Sequence, residues 1–276
     1  MSSHVKSHNH QIDQETRLLI SKRYQRITKA INSEFWNSNS ETAHSRYVGS
    51  YGRGTAIDTS DLDVLHVLPT EEYDHFTSLS GNGQSRLLQA VKNAILSTYP
   101  TTSIKGDGQV VVVRFADGMI FEILPAFENL SIWGWDGTYK YPDSNMGGNW
   151  MSTNPIAEQN AMRKKNSKNE SNGLLIDTCR HIRYVRDNYY SSYHLSGILI
   201  DSFIYAAIGY WHWLRDGESS SNQPVGTYEQ SLFDYYNNHF PNARFYDPIL
   251  YAPGSNLRID TGQGWDVLGK VLQKMV

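Results

Sequence analysis

Gly49-Ser50-Tyr51-Gly52-Arg53-Gly54-Thr55-Ala56-Ile57-Asp58-Thr59-Ser60-Asp61-Leu62-Asp63 is a small-residue turn that runs into two carboxylates one residue apart. From Leu62 to Leu68 the chain is apolar and β-prone, so Asp61 and Asp63 stand at the mouth of a strand. Strand side chains alternate with period two, which points both carboxylates to one face. Hard oxygen ligands on one face, just beyond a turn rich in backbone N–H groups, suit a divalent cation that holds polyphosphate. Taken alone, the Asp-x-Asp pair reads first as a solvated strand start or a local cap, and the Gly-Ser pair alone is as weak a signal. An EF-hand calcium loop is excluded, because His66 stands where that loop needs glycine.

In this order the residues resemble the polymerase-β-like nucleotidyltransferase superfamily, whose pattern is Gly-Ser, a short helical turn, then Asp-x-Asp on a strand. Gly49, Ser50, Thr55, Ser60, Asp61 and Asp63 all stand where the pattern wants them. The family adds a third acid on a later strand, commonly three residues before a proline. Glu122, three before Pro125 in Gly118-Met119-Ile120-Phe121-Glu122-Ile123-Leu124-Pro125-Ala126, takes that place, with Glu where Asp is more usual.

The resemblance implies the chemistry and the roles. A ribose hydroxyl attacks the α-phosphorus of a nucleoside triphosphate and pyrophosphate leaves, mostly by positioning and charge neutralisation. Asp61 and Asp63 bridge two Mg2+ (or Mn2+) ions, and Glu122 binds the ion beside the attacking hydroxyl. Ser50 and nearby backbone amides hold the β- and γ-phosphates, and Gly49 lets them approach the backbone. Arg53 either reaches a phosphate or is a solvated surface charge. Arg183, in Cys179-Arg180-His181-Ile182-Arg183-Tyr184, lies where relatives carry a triphosphate-binding base; the other reading is a helix-face charge. Lys165 is a weaker candidate of the same kind.

Within the superfamily, Trp150-Met151-Ser152-Thr153-Asn154-Pro155 before a helical region resembles the CD-NTase branch (cGAS- and DncV-like, SMODS-type). That resemblance covers about residues 15 to 215. It implies a bacterial anti-phage signalling enzyme of the CBASS type, which joins ribonucleoside triphosphates into a cyclic or linear second messenger read by a downstream effector. Two rivals remain open at this level. One is transfer of a nucleotide to a protein or a small molecule such as an antibiotic, and the other an inactive nucleotide-binding regulator.

Composition narrows the field. At 276 residues and 39% hydrophobic content, the chain can bury a substantial core as one domain or two lobes. No apolar run approaches the roughly 20 residues that span a bilayer, and Met1 to Gln11 is polar and His-rich, without a signal-peptide core. Cys179 is the only cysteine, which excludes a disulfide framework and a cysteine-based zinc device for duplex DNA. A cytoplasmic location is the expectation. A net charge of −3, with one local basic cluster at Arg163-Lys164-Lys165 and Lys168, fits small nucleotides better than duplex nucleic acid.

Periodicity predicts an α/β lobe with a mixed sheet over residues 12–165, and a helical lobe over 166–276 that closes a nucleotide cleft; residues 1–11 read as a disordered tail. Ile20, Tyr24, Ile27, Ile31 and Phe35 predict an amphipathic helix. Tyr47-Val48, Asp61–Leu68, Gln109–Phe115 and Met119–Leu124 predict strands, the last two joined by an Asp117-Gly118 turn. Helices are predicted around Leu87–Leu96, Leu174–Tyr190, Leu195–Leu214 and Trp265–Met275, with an exposed loop over residues 216–227. Tyr189, Tyr190, Tyr205, Tyr210, Trp211 and Trp213 are read mainly as core, with base stacking as the alternative. His66 and His181 lack a partner at ligand spacing and are not assigned to a metal.

Overall fold

The computed structural model describes residues 3–7, 11–58, 61–219, 224–240, 246–262 and 264–276; Ser60 of the motif and His8 and His10 lie outside the described residues. Backbone proximity groups the chain into two compact units, Ile12–Gly52 with Thr59–Pro155, and Met1–Gln11 with Arg53–Asp58 and Ile156–Val276.

The first unit begins with α1 (Gln14–Phe35). Its cap is Asp13, whose carboxylate accepts the Thr16 N–H at 2.9 Å. The apolar stripe predicted for this helix is buried at Ile20, Ile27 and Ile31. Asn32, also fully buried, ties down the Ser/Asn-rich segment that follows by donating to the Ser40 and Ala43 carbonyls, each at 2.9 Å. Then come β1 (Ser45–Tyr47), α2 (Gly49–Arg53), β2 (Leu62–Val67), α3 (Thr70–Ser78), α4 (Gly83–Thr98), β3 (Ser103–Asp107), β4 (Val110–Arg114), β5 (Ile120–Ser131), β6 (Gly134–Asp143) and β7 (Asn149–Thr153).

These strands form one mixed seven-stranded sheet. The order β1-β2-β5-β4-β3 carries a parallel β2–β5 pair among antiparallel ones, and β6 joins β5 to β7. Alternation sorts the side chains. Leu62, Val64, Val111, Val113, Phe121 and Ile123 share the face on which α4 packs its Leu87, Leu88 and Val91. Asp63, Val112 and Glu122 share the other. The Ala116-Asp117-Gly118 turn forms as predicted, with the Phe115 N–H donating to the Met119 carbonyl at 2.9 Å.

Three parts of this unit differ from the sequence expectation. β5 runs seven residues past Leu124 and continues into β6 and β7, whose Gly134, Gly137 and Pro142 read as turn residues rather than strand. α3 and β3 were not predicted; α3 has one fully buried side chain, Phe76, too little for an apolar period. β3 is mostly exposed and contains Gly106, where a Cβ would stand 3.3 Å from Leu88 Cβ.

The second unit holds α5 (Pro155–Lys165), α6 (Leu174–Tyr189), α7 (Gly197–Ala207), α8 (Thr227–His239) and α9 (Gly264–Met275). Its core joins Leu175, Cys179 and Ile182 of α6 to Leu199, Phe203 and Ile204 of α7, with Leu232, Leu268 and Leu272. α5 groups with these helices, although the sequence placed the boundary after Lys165. α7 is shorter than the predicted Leu195–Leu214 helix, since Gly209 takes φ +54° and the chain leaves the helix there. The amino-terminal segment corrects the expectation of a disordered tail over Ser3–Val5. Val5 is buried, its N–H donates to Glu229 Oε1 at 2.9 Å, and the Ser3 N–H donates to the Lys274 carbonyl at 3.1 Å. Val5 supplies the apolar anchor that the polar composition of this segment conceals.

Candidate active site

The carboxylates are placed by strand register. β2 and β5 run parallel with Asp63 directly opposite Glu122, so the two side chains leave the sheet on one face. Asp61, one residue before β2, is exposed, and Asp63 and Glu122 are half-buried. The chain reaches them from β1 through Val48, whose N–H donates to the Asp63 carbonyl at 2.9 Å and whose carbonyl accepts from Gly52 N–H at 2.8 Å. Val48 thus fixes the Gly49-Ser50 turn against the Asp63 backbone.

Gly49 sits at φ +56°, and a Cβ there would overlap the Asp63 carboxylate. Both observations require glycine: the left-handed backbone favours it, and the approach of Asp63 leaves no room for a side chain. Tyr47 and Tyr51 flank the turn with ring centroids 4.6 Å apart, and Tyr24 of α1 stacks on Tyr47 at 4.4 Å. Ser50 lies half-buried in the first turn of α2.

Burial, followed by the Asp63 and Asp61 carboxylates, pushes Glu122 up to about 7, with Arg114 pulling weakly the other way. Like charges gathered on a partly desolvated face produce this shift, and such a cluster is a common mark of a functional site. The hard-oxygen donor set suits Mg2+ or Mn2+, and a cation would relieve the charge imbalance around Glu122. Among the described residues, no group of three or more His, Cys, Asp or Glu forms a metal cage by itself.

The two arginines named as candidate phosphate ligands, Arg53 at the end of α2 and Arg183 on α6, are both buried and ion-paired. Both belong to a buried cluster in the second unit. Arg53 Nε donates to Asp201 Oδ2 at 2.8 Å and its Nη1 to Glu158 Oε2 at 2.9 Å. Arg183, 1% exposed, donates to Asp201 Oδ1 at 2.7 Å and to the Gly197 and Cys179 carbonyls at 3.0 and 3.2 Å. Thr55 Oγ1 adds a bond to Asp201 Oδ2 at 2.9 Å. Burial alone would raise the Asp201 carboxyl, but Arg183 and Arg53 hold it below the usual value. Lys165 instead places its ammonium 4.9 Å from the Tyr205 ring centroid.

Sequence reasoning missed Glu158 and Asp201, and one of the two was visible. Asp201 is the lone acid of an otherwise apolar helix, which signals a buried partner. Arg183 likewise stands four residues from Cys179 and eight from Leu175, on the apolar stripe of α6.

His66 belongs to the core face of β2. Burial pushes it down to about 3, and Ser45 Oγ bonds its Nδ1 at 2.6 Å. Trp150, in the segment likened to a nucleotide-pocket wall, packs its ring on Tyr73 and Phe127 at 4.9 and 5.6 Å. Of the other aromatics, Trp213 bonds Asp177 through Nε1 at 2.8 Å and Trp211 packs on Tyr228, whereas Tyr210 is fully exposed.

A mixed sheet presenting an Asp-x-Asp pair and a third acid beside a Gly-Ser turn, followed by a helical unit, defines the nucleotidyltransferase fold. A model of the Second Messenger Oligonucleotide or Dinucleotide Synthetase domain matches residues 4–166, and the chain belongs to that family. It is accordingly a nucleotidyltransferase of the cyclic-oligonucleotide-synthase type. A comparison with curated proteins finds no match.

Solved structures of similar fold include the Elizabethkingia meningoseptica CdnE cyclic dinucleotide synthase with GTP and Apcpp, at 14% identity, TM-score 0.61, over 95% of this chain and 97% of that one. The Bradyrhizobium diazoefficiens CD-NTase CdnG in complex with GTP is 12% identical, TM-score 0.65, over 97% and 87%. The Rhodothermus marinus CdnE c-UMP-AMP synthase with Apcpp and Upnpp is 13% identical, TM-score 0.60, over 97% and 91%. No helix of the described residues is long and apolar enough to cross a membrane.

Proposed function

We propose that this chain condenses ribonucleoside triphosphates, with release of pyrophosphate, into a cyclic or linear oligonucleotide that signals phage infection to a downstream effector in the bacterial cytoplasm. The observation that carries the reading is the Asp63–Glu122 register beside a Gly49-Ser50 turn that the Asp63 carboxylate crowds. The nucleotides bound in the structures of similar fold support triphosphates as donor and acceptor.

Asp61, Asp63 and Glu122 would hold two Mg2+ or Mn2+ ions, the remaining ligands coming from triphosphate and water. The bound ions would supply charge neutralisation at the attacking and leaving oxygens. Ser50 and the turn amides orient the β- and γ-phosphates, and Gly49 keeps the backbone accessible to them. Glu122 would accept the proton of the attacking hydroxyl.

Incubation with the four ribonucleoside triphosphates and Mg2+ or Mn2+, without any acceptor, followed by mass spectrometry of the products, tests this. Self-condensed nucleotides that vanish in Asp63→Asn confirm it. Labelled protein or small molecule appearing only when a foreign acceptor is supplied would overturn it.

A further inference from the structure

Ile132 and Trp133 form the two-residue loop of the β5–β6 hairpin, between the paired Ser131 and Gly134. They are 92% and 91% exposed, and Leu130 beside them is 55% exposed. The loop is stiff: Ser131 Oγ donates to the Gly134 carbonyl at 2.9 Å and accepts the Trp133 N–H at 3.2 Å. Just below it, Asp136 accepts bonds from Thr138 and Asn129. A preordered pair of large apolar side chains held in water marks an interaction surface.

The base of the same hairpin carries a cavity of about 300 Å³, lined among others by Trp36, His44, Arg46, Thr70, Glu128 and Tyr139. Its wall is an indole–imidazole stack, Trp36 on His44 at 3.9 Å, and the Arg46 guanidinium lies 5.8 Å from the Tyr139 ring centroid. Such a site matches an indole: a flat aromatic wall, a cation for the ring face and the Glu128 carboxylate to accept the ring N–H. The tip cannot fill its own cavity. Glu128 and Tyr139 pair across the base of the ladder, and four to six residues of extended strand, roughly 13–20 Å, carry the tip away from them.

We propose that two copies of this chain pair through antiparallel hairpins, Trp133 of each entering the cavity at the base of the other. The same reach that removes the tip from its own cavity brings it to its partner's, and the arrangement closes on a two-fold axis. Charge favours this occupant over a lipid surface, because the tip, residues 129–138, carries Asp136 and no lysine or arginine to meet anionic headgroups, whereas the cavity presents Arg46 beside Glu128. An aromatic side chain buries roughly 150–250 Å². Counted twice with Ile132, Leu130 and the cavity rims, the contact reaches the lower end of stable interfaces, on the order of 1,200 Å².

Analytical ultracentrifugation over a concentration series should show a reversible dimer that Trp133→Glu reduces to the monomer. The pair Ile132→Cys with Thr70→Cys, which keeps Trp133, should close a covalent dimer on oxidation; Cys179, fully buried, does not compete. A wild-type protein that is monomeric throughout, or a Trp133→Glu variant that still dimerises, overturns the proposal. Loss of the dimer in Trp133→Glu without formation of the cross-link overturns the assignment of this cavity.

Discussion

On the sheet unit, Asp61, Asp63 and Glu122 gather on one face, and burial together with the two aspartates pushes Glu122 up to about 7. In the helical unit, Asp201 is more deeply buried, yet Arg183 and Arg53 hold its carboxyl below the usual value. Both are carboxylate clusters, and the sign of the neighbours decides what each is for. A buried acid matched by two guanidiniums is a completed structural joint. Acids gathered on a half-open face instead raise one another's proton affinity, as Glu122 shows. The comparison also explains why arginines that resemble phosphate ligands in the sequence belong to the joint.

The comparison breaks first if the joint is dispensable. Asp201→Asn leaves two guanidiniums short of charge inside the helical core, at a cost of about 3–5 kcal/mol. Denaturant unfolding should show that loss; a change below about 1 kcal/mol would mean that Glu158 and backbone carbonyls satisfy the arginines alone. The acid limb sharpens the point. Because the folded pKa of Asp201 lies below its ordinary value of 3.8, its stabilisation is whole above that value and disappears as pH falls through the folded one. Wild type and Asp201→Asn should therefore converge in stability in strong acid.

The acid face should behave in the opposite way. Asp63→Asn is expected to lower product formation about 100- to 1,000-fold, the scale for removing one preorganised electrostatic group, with thermal stability within about 0.5 kcal/mol. Gly49→Ala should reproduce the activity loss, since its Cβ would displace the Asp63 carboxylate. Full activity in Gly49→Ala would mean that the turn tolerates a shifted Asp63, and the close approach would carry no functional weight. Glu122→Gln removes a charge its neighbours repel, so stability in chelator should hold or rise while turnover falls about 100-fold. A destabilised variant with normal turnover per folded molecule would make Glu122 a partner of Arg114 instead.

The acid face was largely legible in the sequence because its parts are local: Gly49-Ser50, Asp61 and Asp63 lie within fifteen residues, and Glu122 sits in a strongly apolar strand. The joint was not legible, because Arg53 meets Asp201 across 148 residues and only the fold brings them together. α1, β2, β4 and α6 declare themselves through apolar periods. β6 reads Gly-Trp-Asp-Gly-Thr-Tyr-Lys-Tyr-Pro-Asp and is held by pairing to β5 and β7 rather than by alternation. α5, with three basic residues in its last turn, hides its buried Met162 in a polar sequence.

Ser50 should give the smallest of these effects, and it separates phosphate holding from charge assembly. The side chain is half-buried in the first turn of α2 and contributes one hydroxyl, while the turn itself is fixed by backbone bonds through Val48. Ser50→Ala therefore removes at most one hydrogen bond to a charged phosphate, about 1.5 kcal/mol at the lower end of such bonds, or roughly tenfold. Because that bond is made to bound triphosphate before and during reaction, the loss should fall on KM more than on kcat. Steady-state kinetics over a triphosphate series measures the split. A kcat loss as large as that of Asp63→Asn, with KM unchanged, would show that Ser50 acts on the acid face itself and that the turn and the carboxylates form a single catalytic element.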